Sequence, residues 1–138
     1  MTGSIWGLDP NGSLLSPTAN TRTLTERPPV PPPPVRLVLT TCASPGEAGR
    51  LGRTLVEERL AACATLIPAV ESIYYWEGSI ESAAETLLLL KTGPDQLSAL
   101  EARLHQLHTY QTPEFLVLGI ESVSHRYLEW LQANLRLP

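Results

Sequence analysis

The sequence is short of several residue types on which specialised proteins depend, and each shortage excludes a class of protein. Two cysteines, Cys42 and Cys63, allow at most one disulfide, so the fold cannot rest on a framework of bridges. Only ten residues are lysine or arginine, they are scattered, and the formal net charge is -4. Nucleic acid, which needs a basic surface, is therefore not an expected partner. The longest apolar runs, such as LLLL at 87–90, are far shorter than the roughly 20 residues of a membrane-spanning helix.

Sequence motifs of enzymes and of secretion are missing as well. The chain has no GxSxG, no P-loop and no GxGxxG, and its carboxylates show no isolated apolar pair that would mark an acid/base couple. The N-terminus has neither the basic start nor the apolar core of a secretion signal. We therefore expect a cytoplasmic protein that is not an enzyme, has no nucleic-acid or membrane partner and keeps its thiols reduced.

Proline is abundant but unevenly distributed. Most of the thirteen prolines lie within residues 1–34, including PPVPPPP at 28–34, and this composition supports neither a helix nor a sheet. We predict a flexible tail that ends in a stiff polyproline spacer, with a ligand for an SH3-type domain as the alternative interpretation. Residues 35–138 remain, and in a chain that is 43% hydrophobic they are enough for one compact domain.

From residue 35 onwards, the spacing of apolar residues predicts the element order β-α-β-β-α-β-α. The first helix has the clearest start, with Ser44 as N-cap, Pro45 in the first turn and Glu47 completing a capping box. The two central strands join at the turn sequence EGS, residues 77–79. The predicted strands cover residues 35–42, 63–76, 80–91 and 114–121. The first predicted helix runs from 44 to about 61, and the last begins at Ser124. The second begins near 94 and carries an apolar stripe of Leu97, Leu100, Leu104 and Leu107.

This order is typical of an α+β fold of the ferredoxin-like kind, a βαββαβ sandwich, here with a C-terminal helix added. The central hairpin is unusually long, since strands of about 14 residues would reach ~45 Å, against a usual strand of about five or six residues. Its tip carries Tyr74, Tyr75 and Trp76, which must face alternate sides of the sheet, and Pro68 requires an edge or a bulge. Because one small subunit cannot bury both faces, we predict an oligomer; a merely decorative hairpin is the alternative.

The strand order 4-1-3-2 of such a sheet predicts which candidate metal ligands meet. Cys42 ends the first strand at the rim where His108 ends the second helix, whereas Cys63 lies on the order of 15 Å away at the opposite rim, too far for a disulfide. Thiolate and imidazole are ligands for copper or zinc. On a helical wheel, Glu101, His105 and His108 fall within about 60°, which makes His105 a third candidate. A solvated helix face is the alternative, since histidine suits the C-terminal end of a helix.

Lys91 is the remaining charged candidate. It ends the apolar strand that contains LLLL, where burial would perturb its amine. A lysine at a sheet edge can instead extend its charge into water or pair across a subunit contact, and we favour this second interpretation.

Five stretches of the sequence resemble the CutA family, the divalent-cation tolerance proteins. They are VEERLAACATLIP (56–68), SIYYWEG (72–78), LLLLKT (87–92), YQTPEFLVL (110–118) and YLEWL (127–131). The resemblance implies a ferredoxin-like subunit in a homotrimer whose long hairpins form the subunit contacts. It also implies a link to copper, as Cu(II), and to other divalent cations, with no established enzymatic activity.

The same resemblance points to metal ligands. In copper-binding bacterial members, a cysteine at the end of the first strand and two adjacent histidines are the proposed ligands, and Cys42 and His108 match the cysteine and the second histidine. Leu107 stands where the other histidine would be, Thr109 where proline is usual, and Ala69 where a glycine is common. Two matching ligands are too few for a closed tetrahedral site unless His105 or a neighbouring subunit contributes.

Two functional hypotheses follow from these observations. The first is a trimeric cytoplasmic protein that binds divalent metal, copper first, at a rim formed by Cys42 and His108. The second is a trimeric signalling or scaffold protein like the PII proteins, which share this subunit fold. It would bind a small metabolite or a partner in clefts between subunits, and the residues expected to line them are Trp76, Lys91, Tyr110 and Glu114.

Overall fold

The computed structural model describes residues 30–137 and contains the predicted elements in the predicted order. Residues 1–29, which make up most of the predicted tail, lie outside the described residues, so the tail stays a prediction. The strands are β1 (Arg36–Cys42), β2 (Cys63–Trp76), β3 (Ser79–Thr92) and β4 (Leu116–Gly119); the helices are α1 (Pro45–Glu57), α2 (Leu97–Leu107, preceded by a 3-10 turn at Pro94–Gln96) and α3 (His125–Ala133).

The four strands form one antiparallel sheet in the order β2-β3-β1-β4, which is the ferredoxin-like arrangement expected from the sequence. β1 pairs with β3 along its whole length, from Arg36 opposite Thr92 to Cys42 opposite Thr86. Alternate side chains of these strands, Val38 and Leu88 among them, are fully buried in a core shared with α1 and α2. The predicted α+β fold class is confirmed.

The long hairpin is present, and both of its local signals are confirmed. The register of β2 against β3 shifts in the middle of β2, and Pro68 lies within this irregularity on an edge strand, where its missing N–H is tolerated. Ala69, beside it, has a φ of 59°, a left-handed conformation that residues with a Cβ rarely adopt. At the tip, Glu77 and Gly78 have φ values of 50° and 84°, as in the two-residue turns that suit a twisted hairpin.

The first helix is shorter than its apolar pattern predicted. α1 ends at Glu57 rather than near Ala61, because Arg59 adopts a φ of 59° and turns the chain. The N–H groups of Leu60 and Ala61 then both donate to the carbonyl of Leu55. Leu60 is buried as the pattern required, but it reaches the core from the turn that follows the helix.

The last strand is also shorter than predicted. β4 has four residues, Leu116–Gly119, of the predicted 114–121. Its pairing with β1 reaches only Leu39, so the final three residues of β1 have no strand on that side. Backbone groups there need partners from elsewhere in the chain.

The two glycines of α1 differ in their surroundings. A Cβ at Gly52 would lie 3.0 Å from the Cβ of Ala64 and 3.3 Å from Cδ1 of Leu88, whereas a Cβ at Gly49 would meet no atom of residues 30–137 within 4 Å. Gly52 therefore allows α1 to pack closely on the sheet, and Gly49 has no such role within the subunit.

The sheet face turned away from the helices carries apolar side chains that the single subunit leaves half-buried or exposed. Because alternate residues share a face, the register places on it Leu37, Leu39, Leu87, Leu89, Leu116 and Leu118. Leu116 and Leu118 are 52% and 41% exposed. We call this surface the open face; apolar surface of this extent is typical of a contact between proteins. Within residues 30–137, no helix is long and apolar enough to cross a membrane.

Candidate metal cluster and adjoining cleft

The fold brings Cys42 and His108 to the same rim of the sheet, as the strand order predicted. Sγ of Cys42 lies 3.8 Å from Nε2 of His108, and both side chains are buried. Cys63 lies at the opposite end of the sheet, facing Lys91 across the β2–β3 pair. Lys91 also pairs with Leu37, five residues along β1 from Cys42, so the predicted separation of the two cysteines is confirmed, and both are free thiols.

His108 is held by hydrogen bonds at both ring nitrogens. The backbone N–H of Tyr110 donates to Nδ1 (3.0 Å), which places the proton of the neutral ring on Nε2. Nε2 donates to the carbonyl of Thr41 (2.8 Å), in the part of β1 that extends beyond its pairing with β4. The imidazole therefore satisfies two backbone groups at the end of the sheet, which is a structural role in its own right.

Glu47 joins this pair as a third candidate ligand, which the sequence analysis missed. Its Oε1 lies 3.9 Å from Nδ1 of His108, and one ligand atom each from Cys42, Glu47 and His108 lie within 4.8 Å of one another. Among residues 30–137, this is the one group of three metal-competent side chains that converges. We call it the rim cluster.

The sequence assigned Glu47 to a capping box, and half of that box is present. Oγ of Ser44 accepts a hydrogen bond from the backbone N–H of Glu47 (3.2 Å). The carboxylate, which a capping box would turn back towards Ser44, instead accepts a hydrogen bond from the hydroxyl of Thr109. The signal that could have revealed its second role is position, since the first turn of α1 begins beside the rim where Cys42 ends.

The rim cluster keeps the thiol of Cys42 protonated. Burial raises the pKa of Cys42, and with the negative charges of Glu47 and Glu85 it reaches about 11. A thiol of this kind is a poor nucleophile near neutral pH, which argues against a catalytic cysteine. The carboxylates that disfavour the thiolate would favour a cation beside it.

His105 does not reach the rim cluster within the subunit. α2 ends at Leu107, and His108 has extended backbone angles (φ -74°, ψ 143°), so its side chain leaves the helical surface. The exposed ring of His105 stays on that surface, with Nδ1 2.8 Å from the carbonyl oxygen of Glu101 and Phe115 beside it. The expectation that Glu101, His105 and His108 share a helical face does not hold, because the helix stops before the third residue.

A cleft of about 640 Å³ opens beside the rim cluster, on the open-face side of the sheet. Three of the four residues that were predicted to line clefts between subunits line this cleft of the single subunit. The aromatic and acidic residues of its walls are Tyr74, Trp76, Tyr110, Glu81, Glu85 and Glu114. Lys91, the fourth, lies at the other end of β3, opposite Leu37 and Cys63, because the strand carries it away from Glu85.

Tyr110 connects the cleft to the rim cluster. Its hydroxyl donates to the carboxylate of Glu85 (2.6 Å), and its ring centroid lies 4.8 Å from that of His108. Burial, reinforced by Glu85, raises the pKa of Tyr110, so the phenol donates this bond rather than ionising. Burial and Glu85 also raise the pKa of Glu114. Among the described residues that line the cleft there is no lysine, arginine or histidine, so these residues leave its acidic character uncompensated.

Comparison with known proteins adds the family to this geometry. The family model described as CutA1 divalent ion tolerance protein matches residues 36–134. The chain belongs to the CutA family. A divalent-cation tolerance protein CutA from Pectobacterium atrosepticum is 45% identical over 101 residues, which cover 72% of this chain and 92% of that relative. The resemblance read from five sequence stretches is thereby confirmed.

Solved CutA structures share the fold. The crystal structure of CutA from Xylella fastidiosa has a TM-score of 0.73 and 37% identity, and the match covers 75% of this chain and 99% of that one. A structure described as the periplasmic divalent cation tolerance protein CutA from Archaeoglobus fulgidus has a TM-score of 0.70 and 30% identity, and covers 72% of this chain and 97% of that one. The family is named for tolerance of divalent cations and not for a reaction, in keeping with the lack of catalytic motifs.

Two residues at which this CutA protein departs from the expected ligand pattern have contacts of their own. Leu107, in the place of a histidine, packs against the main hydrophobic core. Thr109, in the place of a proline, donates its hydroxyl to Glu47. The rim cluster has thus lost one expected imidazole and gained a hydroxyl that occupies its carboxylate.

Proposed function

We propose that this CutA protein is a homotrimer that binds a divalent cation, copper first, at the rim cluster, and that it acts by binding rather than by catalysis. The observation that carries the proposal is the convergence of a sulfur, an oxygen and a nitrogen ligand within 4.8 Å. Thiolate with imidazole suits Cu(II) or Zn(II) better than Mg²⁺. Three protein ligands leave a position for water or for a residue of a neighbouring subunit.

The side chains of the rim cluster fit such an ion in kind, but each already has a proton or a hydrogen-bond partner that the ion would have to displace. Cys42 must lose a proton from a thiol whose pKa is about 11. His108 must give up its bond to Thr41 or to Tyr110, and the cation must compete with the hydroxyl of Thr109 for the carboxylate of Glu47. Because each lost proton and hydrogen bond subtracts from the affinity, we expect weak binding.

Calorimetric titration of Cu(II) and Zn(II) tests the site. The double variant Cys42→Ser/His108→Gln should bind at least about tenfold more weakly than the wild type. Thr109→Val removes the hydroxyl that occupies Glu47 and should tighten binding. His105→Ala, a change of the same type outside the rim cluster, should leave the affinity unchanged. Equal affinity in the wild type and the double variant would refute the site.

The homotrimer is supported by the open face, which leaves Leu116 and Leu118 largely exposed in one subunit. Sedimentation equilibrium should give three times the mass of the chain. Leu116→Asp, which places a charge on the open face, should yield smaller species. Ser98→Asp adds the same charge at an exposed position of α2, on the other side of the sheet, and should leave the mass of the oligomer unchanged. A monomeric wild type at micromolar concentration would contradict the proposal.

We propose a cytoplasmic location because both thiols are free, as suits a reducing compartment. The Archaeoglobus fulgidus relative is described as periplasmic, which makes the periplasm the rival location. Cell fractionation with an antibody against the chain separates the two.

A second candidate function, the binding of a small metabolite in the manner of the PII proteins, is supported by the cleft. Trp76, Tyr110 and Glu114, three of the residues that define this hypothesis, line one cavity. A thermal-shift screen of metals against nucleotides, small acids and amines compares the two functions directly. Stabilisation by metals alone would reject this second function.

A further inference from the structure

The shape of the cleft is that of a small-molecule site. Its volume of about 640 Å³ falls inside the range of roughly 300–1,000 Å³ that such sites occupy. Aromatic rings of Tyr74 and Trp76 project from β2 on the side of the sheet that also carries Glu81 and Glu85 of β3. Ala83, between these two glutamates on β3, has only a methyl group, so the floor between the carboxylates is low and apolar.

The charge of the cleft favours a cation. Within residues 30–137, its lining includes three carboxylates and no positive side chain. Glu114 has a raised pKa because its charged form is partly buried and lies near the charge of Glu85, a cost that a bound cation would relieve. Tyrosine and tryptophan faces also attract ammonium groups, more strongly when water is excluded.

The spread of the carboxylates argues against a bare metal ion. Glu81 and Glu85 are four residues apart on β3, which corresponds to ~13 Å along an extended strand. Within residues 30–137, the group of three metal-competent side chains that does converge is the rim cluster, and the cleft carboxylates form no such group. Negative charge is therefore available near each end of the cleft, with aromatic and methyl surface between.

We propose that the cleft binds an elongated organic cation of the aliphatic amine class, with ammonium groups at two ends of a methylene chain. Glu81 takes one end and Glu85 with Glu114 the other, while Tyr74, Trp76 and Tyr110 pack against the chain between them. This inference rests on the metabolite-binding function, which it refines by naming the ligand class, and it requires that the neighbouring subunits of the proposed trimer leave the cleft open. It does not rest on metal binding, because no residue of the rim cluster contacts the ligand in it.

The test uses the full-length protein freed of metal by chelation and gel filtration, so that a failure of the metal proposal does not affect it. Spermidine is titrated calorimetrically at fixed ionic strength, with n-butylamine as a ligand of one charge and magnesium as an inorganic cation. We expect one saturable spermidine site per subunit and n-butylamine to bind at least about tenfold more weakly. Glu81→Gln and Tyr74→Leu should each weaken spermidine binding by roughly fivefold or more.

Glu71→Gln is the matched control. Glu71 lies on the same hairpin, with the same charge, but its register opposite Ala84 puts it on the other face of the strand pair, where it accepts a bond from Ser82. Its removal should change spermidine affinity by less than about twofold.

Three outcomes would overturn the inference. The first is that spermidine shows no saturable binding at concentrations up to about 10 mM, because a weaker affinity would not indicate a formed site. The second is non-specific charge attraction, shown by equal losses in Glu71→Gln and Glu81→Gln or by magnesium binding as tightly as spermidine. The third is a change of oligomeric state in Glu81→Gln or Tyr74→Leu without amine binding in the wild type, which would mean that a neighbouring subunit fills the cleft.

Discussion

Replacing His108 with alanine should destabilise the protein even when no metal is present. The substitution removes the ring that donates to the carbonyl of Thr41 and accepts from the N–H of Tyr110. Each partly buried backbone group left without a partner costs roughly 1–3 kcal/mol. Water that enters the space left by the ring will satisfy them in part, so we expect a loss of about 3 kcal/mol in the free energy of unfolding.

Urea denaturation followed by circular dichroism measures this loss. EDTA must be present to remove any metal contribution, and all variants must be compared at one subunit concentration, since the apparent stability of an oligomer depends on it. His108→Gln, whose amide can still donate and accept, should recover part of the loss. His105→Ala, with its exposed ring, should change stability by less than about 0.5 kcal/mol. A loss below about 1 kcal/mol in His108→Ala would show that the ring is not needed by the backbone.

Three further predictions concern stability. Ala69→Gly should stabilise the protein by about 1 kcal/mol, because glycine removes the cost of a left-handed residue in the β2 irregularity; no gain in thermal denaturation would mean that this conformation is not strained. Gly49→Ala should stabilise the protein by about 0.5–1 kcal/mol, because alanine favours the helix and has room there. Gly52→Val should destabilise it by about 1–3 kcal/mol, because the larger side chain would press against the sheet. Equal effects of the two substitutions in urea denaturation would contradict close packing of α1 at Gly52. The hydrogen-bonded pair with Arg103 lowers the pKa of Glu58, so the pair stabilises the protein above the unfolded pKa of about 4.3, and this contribution is lost as the pH falls further. The free energy of unfolding of Glu58→Gln should therefore depend less on pH than that of the wild type between about pH 3 and 6. Parallel curves of unfolding free energy against pH would show that the pair does not contribute.

The sequence was sufficient for features that depend on chain order and on the alternation of residues along strands. The ferredoxin-like strand order alone placed Cys42 beside His108, although 66 residues of sequence separate them. The same order placed Cys63 at the far rim. The turn at Glu77 and the tolerance of Pro68 also followed from local chemistry, since backbone conformation there is limited by the residues themselves.

Features that depend on competition between partners were not predictable in this way. Glu47 has a sufficient local explanation as a capping residue, and nothing in its neighbourhood of sequence indicates that Thr109 takes its carboxylate instead. The helical wheel failed for His108 because it assumes that the helix continues, whereas α2 ends one residue earlier. Lys91 lies at the other end of β3 and does not reach the cleft within one subunit, so its place in a cleft between subunits stays a prediction.

The rim cluster shows why a set of metal-competent residues is not by itself a strong metal site. The imidazole of His108 has both nitrogens hydrogen-bonded to backbone groups, the carboxylate of Glu47 accepts a hydrogen bond from a hydroxyl, and burial keeps the thiol of Cys42 protonated. A cation must therefore exchange with partners that the fold already supplies, and its affinity is a difference between the two sets of interactions. Those partners are the backbone groups of Thr41 and Tyr110 and the side chain of Thr109, which the fold supplies whether or not metal is bound. The same contacts that hold the rim together thus set a limit on how tightly it can bind metal, so structure and affinity at this rim cannot be altered independently.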